Sequence, residues 1–250
     1  MTEAATPRVG TGTLFRVALG TLVLQASYHP ERRQGLGMAA ALAPLHVLWT
    51  RAEERRRFLE RNLAPMNTNP AMAGVLLGAL ARLEARAAAG EPSALERAAT
   101  LRRTLEGPLA AAGDGLLWAG LRPAAALAGG IVAWWWGAAG VGVFLVSYNG
   151  LHLGLRLGGV FWGHARAETV HRILRARWLR AALRGLPWIV LAGGLALVCL
   201  AAAGCGPPGW SAAPAAVVGA VLGRRGVSRG GLLAAGAIVT GLILAVLSNR

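Results

Sequence analysis

The chain has 250 residues, of which 55% are hydrophobic and only 15% charged, with a formal net charge of +15. The high hydrophobic share excludes a disordered chain, a charged share so far below the usual quarter argues against an ordinary soluble domain, and two cysteines exclude a disulfide framework. Every basic residue is arginine, and the apolar runs between the arginine clusters are too long for a nucleic-acid surface. Composition therefore points to a membrane protein with lipid, not nucleic acid, around it.

The segment from Thr11 to Ala26 reads as an amphipathic helix interrupted by Arg16, with no cleavage-like site of a secretory signal after it. The polar run Ser27 to Gly35 reads as a loop between two helices. Gly35 to Trp49 is apolar but about 15 residues long, short of the roughly 20 that a helical span needs. Arg51 to Arg61 mixes arginine and glutamate in the manner of a solvated helix face. In Pro65-Met66-Asn67-Thr68-Asn69-Pro70, two prolines bracket three small hydrogen-bonding residues. Asn67 or Thr68 could cap the following helix, or their side chains could face a ligand, and the two readings are compatible. Ala71 to Leu83 is again apolar and short, and Arg82 to Arg103 is polar helix. Short apolar pieces broken by Pro and Gly predict re-entrant hairpins. Irregular backbone at membrane depth survives only inside protein or along a cavity, and in transporters it marks the binding site.

Asp114, the single aspartate, stands at the mouth of an apolar run, a costly place for a carboxylate. It could cap a helix over 115–122, pair with Arg122 across a hairpin, or serve a site. Pro123 to Val146 carries no charge, includes Trp134, Trp135 and Trp136, and is long enough to span. Gly150-x₃-Gly154-x₃-Gly158, with Gly159-x₃-Gly163 beside it, reads as a tight helix-packing seam. Asn149 and Arg156 on the same stretch need partners. His164, Glu168 and His171 fall at i, i+4 and i+7, a face that could hold a metal but for the surrounding arginines.

Leu186 to Ala203 and Gly231 to Leu247 are further candidate spans. Gly209 to Gly223, interrupted by Pro214, is either a thin crossing or buried in protein. Six arginines between His164 and Gly185 face one Glu168, and Arg224, Arg225 and Arg229 form a second cluster. The positive-inside rule then puts 164–185 and 224–230 in the cytoplasm, and 204–210 and the C-terminus outside. Cys199 and Cys205 read as inert packing thiols. No phosphate-binding loop, nucleotide fingerprint or Ser-His-Asp spacing is present.

Taken together and in order, several of these places resemble the IID membrane component of the mannose/fructose/sorbose family of the bacterial sugar phosphotransferase system (PTS). The family segment S-W-N-F-E-R-M-Q-x-x-G stands here as Ser27-Tyr28-His29-Pro30-Glu31-Arg32-Arg33-Gln34-Gly35-Leu36-Gly37. F-N-T-x-P, then a Gly and A-L-E, corresponds to Asn67-Thr68-Asn69-Pro70, Gly78 and Ala81-Arg82-Leu83-Glu84. L-M-G-P-L-A-G-I-G-D, followed by F-W and R-P, corresponds to Leu105 through Asp114, Leu117-Trp118 and Arg122-Pro123. A later N-x₆-R-x-x-G matches Asn149, Arg156 and Gly159. The order and gaps agree from about residue 13 to 204. His29, Pro30 and Glu106 depart from the pattern. Gly204 to Trp210 replaces a longer polar stretch.

The resemblance implies an all-α membrane protein with transmembrane helices, re-entrant helical hairpins and an N-terminal amphipathic helix. Its expected organisation is residues 1–26 as that helix, 27–122 as the half carrying the sugar-site motifs, and 123–250 as a transmembrane half with a cytoplasmic Arg-rich loop at 164–185. It implies a multi-pass subunit of a bacterial inner-membrane permease, working with a IIC membrane component and receiving phosphate through cytoplasmic IIB and IIA, in an assembly of several IIC–IID pairs. No nucleophile, cofactor or metal is implied in this chain. Gln34, Asn67, Thr68 and Asp114 are the residues it places around the sugar. A regulatory or vestigial subunit of the same fold without transport is the alternative, motivated by His29, Pro30 and Glu106.

Overall fold

The computed structural model describes residues 9–205 and contains helices joined by short loops, with no strand among the described residues. The basic cluster at Arg224–Arg229, the short apolar stretch 209–223, the candidate span 231–247, most of the expected external stretch and the C-terminus lie outside the described residues. The described α-helices are α1 (Thr11–Gly20), α2 (Gly35–Leu42), α3 (Ala52–Asn62), α4 (Pro70–Ala88), α5 (Ala94–Gly113), α6 (Arg122–Trp136), α7 (Ala139–Leu153), α8 (Gly159–Ala165) and α9 (Arg177–Cys205). Tighter 3₁₀ turns follow α1, α2 and α8, at Thr21–Val23, Ala43–Leu48 and Ala167–Arg175. Wider π-helical turns follow α5, at Asp114–Leu121, and α7, at Gly154–Gly158. Two helices, Ala94–Trp136 and Ala167–Ala201, are long and apolar enough to cross a membrane.

Contacts divide the chain into two units. The first comprises 9–119 and Ser147–Leu183, and its centre is α4. This helix is apolar on nearly every side and buried from Pro70 to Leu83 apart from Arg82, as a helix without a polar face must be. It lies against α8 through small residues. A β-carbon added at Gly74 would collide with the Arg156 carbonyl oxygen, one at Gly78 with that of Val160, and one at Gly163 with that of Val75. Of the five glycines expected to form a seam, only Gly159 and Gly163 therefore do so. Gly150, Gly154 and Gly158 have no heavy atom within 4 Å of such a carbon.

The α1 segment rests on this core through Leu14, Val17 and Ala18, while Phe15, Leu19 and Leu22 are exposed. Arg156, on the π-helical turn after α7, donates from Nε (3.1 Å) and Nη2 to the carbonyl of Thr21. The same carbonyl accepts the Leu24 N–H at 3.1 Å, so the guanidinium fastens the 3₁₀ turn after α1 through its second lone pair.

The second unit comprises, among the described residues, 120–146 and 184–205. The charge-free stretch Pro123 to Val146 is not one span. It breaks at Gly137, whose φ of 52° and ψ of −119° are open to glycine, and the chain turns back as α7. The two arms approach closely: a β-carbon on Gly129 would lie 2.7 Å from the Gly140 carbonyl oxygen, and one on Gly140 would strike that of Gly129. Trp134, Trp135 and Trp136 stand exposed at the tip of this hairpin, where an apolar arm ends in side chains suited to a membrane interface. Within the same unit, Gly193 of α9 packs on Leu127 and Leu197 on Gly130.

Candidate functional site

Two loops meet at the N-terminal end of α4. The first is the run after α1. His29 and Arg33 pair through their backbones (N–H to carbonyl, 3.1 and 2.6 Å), and the His29 ring Nδ1 accepts the Glu31 N–H at 3.2 Å. A side-chain acceptor holding the N–H two residues on is the bond that asparagine makes in an Asx turn. His29 thus holds this turn with its ring nitrogen. The chain then passes Arg33, at φ 51°, into Gln34.

Gln34 ties the two loops together. It is buried; its Nε2 donates to the Thr68 carbonyl at 2.7 Å, its Oε1 accepts the Thr68 N–H at 2.9 Å, and its own N–H donates to the Met66 carbonyl at 2.8 Å. The side-chain amide completes a backbone pairing between segments more than thirty residues apart. This leaves it as a positioning group more than a free hydrogen-bonding arm. Gly35 follows because the chain passes so close that a β-carbon there would lie 2.7 Å from the Leu63 carbonyl oxygen.

The second loop, 61–69, is held from the other side by α5. Arg102 donates from Nη1 to the Arg61 carbonyl (2.8 Å), left open at the end of α3, and from Nη2 to the loop carbonyls of Ala64 and Pro65. One turn on, the Glu106 carboxylate accepts the Asn67 N–H at 2.6 Å. Glu106, a departure from the family pattern, is therefore a loop anchor. Farther along the same helix, Asp114 Oδ1 accepts the Asn69 Nδ2 at 2.8 Å, and Gly113 beside it gives the room that Asn69 fills.

Asn69, and neither Asn67 nor Thr68, caps α4: its Oδ1 accepts the Ala71 N–H at 3.0 Å, with Pro70 at the first helical position. Asp114 is no cap, because helix runs straight through it. The wide turn that starts there precedes Pro123, whose ring would crowd the carbonyl four residues back in a regular helix.

Gln34 and Thr68 are thus bonded to each other, Asp114 is bonded to Asn69, the neighbour of Thr68, and Asn67 precedes Thr68 in the same loop. Asn67 is engaged through its backbone N–H, which leaves its side chain for other partners. The Thr68 hydroxyl is buried and has no protein partner among the described residues. Sequence reasoning missed Asn69, Arg102 and Glu106. Proline after asparagine was the available signal for Asn69, while nothing in the sequence pairs Arg102 or Glu106 with a loop some forty residues earlier.

Beside this clamp lies a cleft of about 340 Å³ lined by Arg61, Asn62, Glu84, Arg102, Arg103 and Glu106, among others. Glu84, buried on α4, receives Arg61 through both carboxylate oxygens (2.8 Å from Nε) and Asn62 Nδ2 at 3.4 Å. The Arg61 guanidinium also lies over Trp49, 4.9 Å from its ring centre. Bidentate pairing and stacking together offset the cost of a buried carboxylate.

His164, Glu168 and His171 do not share one helix face. The helix geometry changes at Arg166, so His164 and His171 leave a common α-helical face, and Glu168 is bound by Arg86 and Arg97 (3.0 Å from Arg97). No group of His, Cys, Asp and Glu suited to a metal occurs among the described residues. Burial, and secondarily the Arg82 charge, hold the His164 imidazole below its ordinary pKa. Residues 167–175 and 177–185, read as part of a loop, are helical.

An all-helical membrane fold with a polar loop pair tied into the end of a fully buried helix belongs to the class of multi-helix membrane components, not to soluble enzymes. Residues 8–192 match the PTS system mannose/fructose/sorbose family IID component, and the chain belongs to that family. It is 30% identical over 179 residues to the sorbose-specific EIID component of Lacticaseibacillus casei, covering 71% of this chain and 64% of that protein. It is 28% identical over 171 residues to the mannose-specific EIID component of Escherichia coli (strain K12), covering 68% and 60%. The chain thus spans about three-fifths of the length of these relatives. Among solved structures, the mannose transporter ManYZ in complex with microcin E492 superposes with a TM-score of 0.61 at 27% identity, over 76% of this chain and 70% of that one.

Proposed function

We propose that this chain is the IID subunit of a mannose-family PTS permease in the bacterial inner membrane, forming with a IIC partner the unit that moves a sugar inward. The phosphate comes from IIA and IIB components in the cytoplasm, where residues 164–185 lie. The observation that supports the reading is the tie of Gln34 to the Thr68 backbone and of Asp114 to Asn69 in the loop that also holds Asn67, a polar knot in an apolar fold. Intramembrane polar groups of this kind mark substrate paths. The Asn67 side chain, the Thr68 hydroxyl and the Asp114 carboxylate hold the sugar hydroxyls. Gln34, Asn69 and Glu106 fix the loop that presents them. The chain supplies binding and movement; group transfer belongs to the other components.

A non-transporting regulatory subunit is not favoured, since His29 holds its turn and Glu106 anchors the loop. The test is phosphorylation-coupled sugar uptake in vesicles holding this chain and its IIC partner. Asn67→Ala removes one hydrogen-bonding group and should weaken sugar binding about tenfold to a hundredfold, the effect of roughly 1–3 kcal/mol. Asp114→Asn keeps an acceptor for Asn69, so assembly should persist while uptake falls. Normal uptake by both variants would remove the site assignment.

A further inference from the structure

A second enclosed space takes no part in the loop clamp. It is a cleft of about 350 Å³ formed around α8, the π-helical turn before it and the 3₁₀ turn after it. Trp162, Ile173 and Trp178 line it together with Gly154 and Gly158, and Arg172 is its one charged residue. Gly154 and Gly158 are two of the three glycines left over from the α4–α8 seam, and the space beside them is open.

The charge around this cleft is uncompensated. Glu168 is the only carboxylate between 164 and 185, and it is taken by Arg86 and Arg97. Arg172, Arg175 and Arg177 are exposed, and no carboxylate among the described residues pairs with them. The Arg172 guanidinium beside an apolar floor with two indoles, with exposed Arg175 and Arg177 flanking the lining residue Ala176 in sequence, is the complement of an anionic amphiphile. The phosphate takes the planar fork of arginine, the acyl chain fills the apolar space, and indoles suit the layer between. A protein helix seated on the glycines would have to bring its own acidic groups to three arginines, whereas an anionic lipid brings one by nature. The arginines also precede the long apolar stretch of α9, where headgroups meet a span.

We propose that this cleft binds an anionic phospholipid, with Arg172 on the headgroup phosphate and one acyl chain along Gly154 and Gly158 beside Trp162 and Trp178. The site shares no residue with the loop clamp and does not depend on the sugar reading.

The test uses the full-length chain purified from membranes with whatever subunits accompany it, then stripped of lipid. Retention of phosphatidylglycerol and phosphatidylcholine is counted by native mass spectrometry, with inorganic phosphate as a competitor. Phosphatidylglycerol should be retained in preference to phosphatidylcholine. Arg172→Gln should weaken that retention roughly tenfold, the order of one charge-assisted hydrogen bond. Gly158→Leu, which fills open space, should abolish it while elution and melting stay as in the parent. Gly154→Leu serves the same purpose if the first variant misfolds. Equal retention of the two lipids, unchanged retention in the variants, or displacement by inorganic phosphate at lipid-equivalent concentration would overturn the proposal. So would release of an accompanying subunit by Gly158→Leu with lipid retention intact, which would assign the cleft to a protein partner.

Discussion

The α4–α8 seam and the α6–α7 hairpin are built by one device and live in different surroundings. In both, glycines let two helices approach until a carbonyl oxygen lies where a β-carbon would stand. In the seam, the apolar side chains of α4 are buried on all sides, and the helix even carries a buried glutamate. In the hairpin only the inner faces are covered. Trp135, Trp136, Val141 and Val146 are 56%, 68%, 59% and 76% exposed, and no ionisable side chain other than tyrosine lies between Pro123 and Leu151. Close packing of small residues relies on van der Waals contact and needs no water to expel, so it serves equally inside protein and facing lipid. An apolar helix in this chain is therefore not by itself evidence of a protein-buried one.

Substitutions can break that comparison at several points. Gly78→Leu should do most damage, because backbone atoms that cannot move aside meet the new side chain. A loss of about 3 kcal/mol or more is expected, seen as aggregated or absent protein in size-exclusion chromatography. Gly142→Leu on the hairpin, with nothing within 4 Å, should elute and melt as the parent does. Equal tolerance of both would mean that the seam is not the organising contact.

Glu84→Gln sharpens the difference in polar content. It leaves Arg61 without its carboxylate at a part-buried site and should cost about 2–3 kcal/mol in thermal unfolding. An Arg61→Met, Glu84→Met double variant should recover part of the loss. Gly137→Ala tests the hairpin turn: alanine resists a positive φ, so about 1 kcal/mol should be lost from the melting of this arm. The smallest effect is a pH dependence on the seam side. The folded state holds His164 at a lowered pKa, so it binds fewer protons than the unfolded chain. This contribution to stability is present above the ordinary histidine value near 6.5 and is lost as pH falls below it. His164→Gln should flatten the melting temperature between about pH 7 and 5.

The sequence by itself determined the class. Low charge, long charge-free runs and the ordered motifs carried the membrane assignment and the family, because these depend on composition and spacing alone. It also singled out the polar loops around Gln34, Asn67, Thr68 and Asp114, since polar residues in apolar surroundings are conspicuous in any register. Tertiary structure decided what each of these side chains does. Asn69 rather than Asn67 caps α4, Gln34 spends its amide on a distant backbone, and Glu106 reaches a loop 39 residues earlier. The Pro123–Val146 run folds back at Gly137 because two glycines eleven residues apart can meet only if the chain turns between them. Hydropathy reports how apolar a segment is, whereas a hydrogen bond or a close approach depends on which segment comes to lie opposite, and that is settled only when the helices pack.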